Sequence, residues 1–244
     1  MTDQILSLEA LEAKLFAMAN EHFESREYRH LFSIPLTLDS ARHYIQQRQH
    51  FVFNRRCCWA AVQSSAPFDV KGMIWEHEQD ELQGDAERGV ADHYTLGIQE
   101  GASVGLSPAD FENSPPPGSV EIACYAWLHL ARDKPWLEGL ASSSILEVAN
   151  SDAVVKSGGI SRHMGNKMRD DLGIGFDKQH SNAEHVVAEL EHATLLSIAA
   201  RKYGQTAEGQ AQILRGARAS LTVDRIYRGA LAHEMEALSA AAAA

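Results

Sequence analysis

Apolar residues along this chain return at three- and four-residue steps, the period of one buried face of an α-helix. Leu8, Leu11, Leu15, Phe16 and Met18 keep that step from Ser7 and predict a helix to about Phe23. Thr37 or Asp39 can cap a long second helix that carries Ala41, Tyr44, Ile45, Phe51, Val52 and Trp59 and ends near Ser64. Pro67 and Asp69 open a third, with Val70, Met73 and Ile74 as its apolar face, the acidic run 76–81 at its end and Gly84 as its stop. A fourth, weakened by Gly89, Gly97 and Gly101, is expected over residues 85–104. After the loop NSPPPG at 113–118, helices are predicted over 120–130, from Pro135 through Val148, over 162–171, from Asp177 or Ser181 to Tyr203, and over 207–238. No convincing period-2 run competes; Phe51 to Phe53 is the nearest, and it sits inside a helical pattern. The fold class is therefore all-α, and without a repeat of fixed period the expected architecture is a compact helical bundle.

The chain of 244 residues has no proline- or glycine-rich linker, so one domain is expected over 1–244, with Ala240 to Ala244 as a fraying helix end. A net charge of -11 with dispersed Lys and Arg argues against a nucleic-acid partner. Cys57, Cys58 and Cys124 form neither a disulfide framework nor a CxxC pair and fit a reduced compartment. The opening residues lack a basic and then apolar leader, and no apolar run reaches membrane-spanning length. The expectation is a soluble, cytoplasmic protein with no membrane partner.

The chemistry concentrates in HVVAELEH, residues 185–192. On a helix His185, Glu189 and His192 stand at i, i+4 and i+7 and leave one face. Two imidazoles and a carboxylate suit iron, manganese or zinc, whereas magnesium and calcium prefer oxygen alone. An ordinary polar helix face reads the same, so the octapeptide needs ligands from elsewhere. Glu81 and His93 bracket the segment ELQGDAERGVADH; the alternative for them is solvated charge, as for most of Glu76, Glu78, Asp80 and Glu87. Glu147 lies in SSILEVAN among core-type neighbours, where a buried carboxylate calls for a cationic partner or a metal. Together these are three histidines and three carboxylates, a set that suits two iron ions held between helices. A ferritin-like bundle would use two Glu-x-x-His pairs instead; Glu27/His30 and Glu189/His192 qualify by spacing, but Glu27 lies where the first helix ends, without a well-placed helix partner.

These residues resemble the heme-oxygenase-like di-iron oxidases and oxygenases, related in fold to the TenA thiaminases and to the cofactorless oxidase of pyrroloquinoline quinone synthesis. That family's last ligand helix reads His, three residues, Asp, two residues, His, and residues 185–192 match it with Glu189 in place of Asp. Glu81 in an acidic helix end, His93 after the GDAER turn, and Glu147 in an apolar helix are similar to the family's earlier ligands. The resemblance implies a heme-oxygenase-like bundle, iron as two ions on Glu81, His93, Glu147, His185, Glu189 and His192, and O2 as co-substrate. It also implies a small-molecule substrate (an amino acid, amine or fatty acid) oxidised in a biosynthetic pathway by N-oxygenation, desaturation or carbon-carbon cleavage, and a fold in which homodimers are common. The chain departs from the pattern in three places. Ala41 to Ser65 contains no Asp or Glu, so no seventh ligand comes from that helix; the turn before His93 is longer than usual; and Glu189 reaches one methylene further than Asp. His180 and Glu184 offer a slipped register, but only His185 brings His192 onto the same face.

Alternatives on the same fold are metal-free: a TenA-like hydrolase, which needs a pocket cysteine as nucleophile, or a cofactorless oxidase. A helical interaction protein using the acidic run leaves Glu147 unexplained. Trp59, Trp75, Tyr94 and Trp127 are candidate pocket aromatics, although aromatics at helical spacing more often fill the core.

Overall fold

A computed structural model describes residues 5–192 and 194–242, with the side chains of 187–192 outside the described part. Ser7 caps α1 (Leu8–Phe23) by accepting the Ala10 amide. The chain then makes a helix that hydrophobic period does not reveal, α2 (Arg26–Ser33), because Ser25 caps the Tyr28 amide and Glu27 lies in its positive first turn. A capping box between Thr37 and Ser40 starts α3 (Leu38–Ser65), and α4 (Phe68–Gln83) follows.

The expected helix over 85–104 is shorter than its pattern suggests. Gly84 turns the chain at φ +67°, where a Cβ would lie 2.3 Å from the Val90 carbonyl oxygen. Asp85 pairs with Val90 in an antiparallel bridge while its carboxylate accepts the Glu87 and Arg88 amides, so residues 85–90 satisfy their backbone as a turn. Only at Asp92, which caps the Thr95 amide, does α5 (His93–Ala102) begin.

Beyond the short α6 (Pro108–Glu112) run α7 (Gly118–Asp133), α8 (Trp136–Asn150) and α9 (Ile160–Leu172). A 3-10 turn (Phe176–Lys178) leads into α10 (His180–His192); α11 (Thr194–Tyr203) and α12 (Ala207–Ala242) complete the chain. The helix expected to run to Tyr203 is thus divided between α10 and α11, and the tail expected to fray is helical through Ala242. Among the described residues there is no strand, and no helix is long and apolar enough to cross a membrane.

α8 is the axis of the molecule, with every residue from Leu137 to Ala149 buried. α12 approaches it closely through a glycine of its own: a Cβ on Gly216 would sit 2.1 Å from the Glu138 carbonyl oxygen. Around this contact Trp59, Trp127, Ile145, Ile213 and Leu231 are essentially inaccessible, each worth roughly 1.5–3 kcal/mol of transfer free energy or more. Trp59 and Trp127 are therefore core side chains, and Trp127 Nε1 donates to Ser220 Oγ at 3.1 Å. Glu147 rides on this buried axis, so its carboxylate enters the interior as a consequence of packing.

Candidate metal centre

Four helices bring Glu81 (α4), His93 (α5), Glu147 (α8) and His185 (α10) to the wall of one internal cavity of about 70 Å³. Glu81 and His93 stand on either side of the Gly84 turn, which folds back so that His93 Nδ1 lies 2.9 Å from Glu81 Oε2. The His93 and His185 rings meet at an interplanar angle of 56° with centroids 4.5 Å apart. His185 Nδ1–H donates to the Ser181 carbonyl at 2.7 Å, which fixes the tautomer and turns the Nε2 lone pair outward as a ligand or base. Desolvation, then neighbouring His93, push the His185 pKa down to about 4, so this imidazole is neutral at physiological pH. Burial alone would raise the Glu81 pKa, but Arg56 and His93 outweigh it and hold the carboxyl well below its ordinary range. Conversely burial would lower His93, and Glu81 raises it.

α3 contributes two arginines to this wall that no sequence motif marks. Arg55 Nη2 donates to Glu147 Oε1 at 2.7 Å and to the Ser143 carbonyl at 2.6 Å. Arg56 Nη1 reaches Glu81 Oε2 at 2.9 Å and Glu78 Oε1 at 2.8 Å. Burial lifts Glu78 to about 7 in spite of Arg56, and His77 lies 3.9 Å from Glu147 Oε1. From Ala41 to Ser65, where α3 carries no acidic residue, the helix thus supplies the counter-charges of the candidate carboxylates.

The opposite wall is a second buried polar cluster. Asp224 Oδ2 accepts Tyr28 O–H at 2.5 Å and His22 Nε2–H at 2.8 Å, while Oδ1 accepts Arg228 Nε–H at 3.3 Å. Burial would raise the Asp224 pKa; Arg228, His22 and Tyr28 bring it to about 2. Because the folded value lies below the ordinary 3.8, the ionised carboxylate stabilises the fold above about pH 4, and that contribution is lost as pH falls through about 2. In urea unfolding, the stability gap between wild type and Asp224→Asn should narrow by about 2 kcal/mol from roughly pH 5 to pH 2. A gap independent of pH would remove the assigned charge from Asp224.

The structure settles the position of most residues singled out from sequence. His180 is exposed, and Glu184 pairs with Arg88 Nη2 at 2.5 Å, so the slipped register does not face the cavity, whereas His185 does. α10 continues helically through Glu189 and His192, whose side chains lie outside the described part. Trp75 is exposed. Tyr94 lines an outer depression of about 410 Å³ with Phe53 and Leu82, and this depression shares Val52, Arg56 and Glu81 with the inner cavity. None of the three cysteines lines the cavity, and burial pushes the Cys58 and Cys124 thiols up to about 11 and about 12.

In solved structures the same fold recurs. A domain of unknown function with a heme oxygenase-like fold from Shewanella denitrificans superposes with a TM-score of 0.73 at 16% identity, over 95% of this chain and 94% of that one. A CADD-like protein of unknown function from Nostoc punctiforme gives 0.70 at 17% identity, over 93% and 97%. A TenA homologue from P. horikoshii gives 0.62 at 16% identity, over 90% and 99%. No curated protein matches the sequence. The fold is therefore heme-oxygenase-like. A family of iron-containing redox enzymes matches residues 42–225, a span that runs from α3 to α12 and includes each helix that reaches the Glu81, His93, Glu147 and His185 wall. With that match over most of its length, the chain belongs to the iron-containing redox enzymes.

Proposed function

We propose that Glu81, His93, Glu147 and His185, joined by Glu189 and His192 further along the same helix, hold two iron ions, and that the protein uses O2 to oxidise a small organic substrate. The observation that carries this reading is the convergence of two carboxylates and two imidazoles from four helices on one cavity, with the proton of His185 committed to a backbone carbonyl. The donor set is of the right chemistry. The 2.9 Å contact between Glu81 Oε2 and His93 Nδ1 sets a carboxylate and an imidazole side by side on the same cavity wall. Iron bound there would supply the electrons that reduce O2.

The chain's own residues do the rest. Arg55 and Arg56 neutralise the carboxylates and hold them in place, so an incoming cation shares Glu147 and Glu81 with a guanidinium. Phe51, Leu146 and Ile160 exclude water, and the wall of His22, Tyr28 and Arg228 offers polar contacts to a substrate. The outer depression beside Tyr94 is the entry route this arrangement favours.

A metal-free oxidase on the same fold has one observation in its favour, the guanidinium partners already present on both carboxylates. A thiol-dependent hydrolase has none, since no cysteine reaches the cavity. Anaerobic reconstitution with ferrous iron separates the readings. Two irons per chain and an absorbance transient on admitting O2 are expected for the wild type, with both lost in His185→Ala. A wild-type chain that takes up no iron would transfer the function to the metal-free reading.

A further inference from the structure

The Glu27-x-x-His30 spacing finds its helix partner in the structure, although through other side chains than a ferritin-like pattern would use. α2 lies along the C-terminal half of α12, and His30 Nε2 comes to 3.2 Å from Glu236 Oε2. His233, one turn before Glu236 on α12, places Nδ1 4.0 Å from the same oxygen. The His30 and His233 rings are 4.7 Å apart between centroids. One donor atom from each of the three residues lies within 4.8 Å of the other two.

We infer that this surface junction of α2 and α12 is a second metal site, separate from the cavity, which takes a divalent transition ion of the zinc class on His30, His233 and Glu236. Three donors around a tetrahedral ion on bonds of about 2.0–2.1 Å stand about 3.3 Å apart. The observed 3.2 and 4.0 Å need only small rotamer adjustments, chiefly of the exposed His233 and Glu236 side chains, to meet that spacing. Two imidazoles with one carboxylate select zinc, nickel or copper over magnesium or calcium. Three protein ligands are also the number used where zinc keeps an exchangeable position. Charge favours the cation as well: among the described residues the ion-pair partners of Glu236 are these two histidines, whereas Glu81 and Glu147 are each held by an arginine. Glu27 packs against Gly229, one turn before His233, so the α2–α12 contact beneath the site is already close.

The two helices that such an ion joins also build the far wall of the cavity, since α2 carries Tyr28 and α12 carries Asp224 and Arg228. An ion on His30, His233 and Glu236 therefore clamps that wall from outside. None of the three ligands lines the cavity.

Zinc counting tests this directly. Wild type, His30→Ala, His233→Ala, Glu236→Gln and the cavity variant His93→Ala would be dialysed against zinc chloride near neutral pH and analysed for metal. Each of the three surface variants is expected to bind one zinc fewer than wild type, and His93→Ala is expected to keep that zinc. Hydrogen exchange in α2 should slow on adding zinc to wild type and to His93→Ala, and should not change in His233→Ala. Equal zinc counts in wild type and the surface variants overturn the site. So does a count that falls in His93→Ala alone, which would place the zinc in the cavity. Because the ligands are partly or fully exposed, unfolding curves without zinc should coincide for wild type and the surface variants, and this checks that each is folded.

Discussion

Glu147→Ala is expected to lose its iron and, at the same time, about 3–5 kcal/mol of stability, the usual consequence of removing one partner from a buried ion pair. Arg55 and Glu147 are 3% and 9% exposed, and among the described residues the guanidinium keeps the Ser143 carbonyl as a hydrogen-bond acceptor, with the Phe51 and Trp59 rings beside it, but no bonded carboxylate when Glu147 is removed. Loss of iron alone in this variant would therefore prove little, because a weakened fold also binds poorly. The double variant Arg55→Met/Glu147→Leu separates the two effects. It replaces a buried pair by apolar side chains of similar size, a change that is often neutral or stabilising. Thermal unfolding near the wild-type temperature with no iron bound is the expected result. Wild-type iron content in Glu147→Ala would reduce Glu147 to the counter-ion of Arg55 and move the centre elsewhere in the cavity.

That ion pair also marks the limit of what could be read from the chain. Glu81 and His93 were legible because they flank one turn, and Glu147 because a carboxylate stood in an apolar helix. The His185 register follows from helical spacing, and the structure places this ring 4.5 Å from that of His93. Arg55 and Arg56 were not legible as partners. α3 buries Gln47, Arg48, Gln49, Asn54 and Arg55 together with its apolar residues, so it is surrounded on several sides, and a one-sided hydrophobic period does not describe it. In sequence α3 shows only the absence of Asp and Glu from Ala41 to Ser65, and hence a missing ligand. What it contributes instead, counter-charge for ligands on other helices, depends on pairings across 92 positions for Arg55 and Glu147. α2 is not legible for a local reason: eight residues led by a serine cap give too few turns for a period to register.

Glu100→Ala is expected to impair iron loading strongly, although Glu100 lies outside the cavity. This carboxylate is completely buried and is the point at which α3, α5 and α10 meet. It pairs with Arg48 Nη2 at 2.9 Å and accepts the Asn182 backbone amide at 2.9 Å and its side-chain amide at 3.2 Å. The Asn182 amide belongs to the first turn of α10, so Glu100 acts as that helix's anionic cap from a distant element. Gln179, whose Nε2–H groups donate to the Gly165 and Ile174 carbonyls, receives the Asn182 side chain at 2.9 Å and ties the same turn to α9. His185 hangs from this turn through the Ser181 carbonyl, and Ser181 is the neighbour of Asn182. Removing the carboxylate leaves Arg48 buried without its counter-charge, a loss of about 3–5 kcal/mol, and frees the turn that sets the direction of His185. Glu100→Gln keeps an acceptor for Asn182 and loses only the charge, so it should melt at a lower temperature than wild type while still loading iron. Iron analysis and thermal unfolding of both variants decide the matter. If Glu100→Ala, handled below its melting temperature, loads iron as wild type does, the seating of α10 does not depend on this network and His185 is positioned by its cavity neighbours alone.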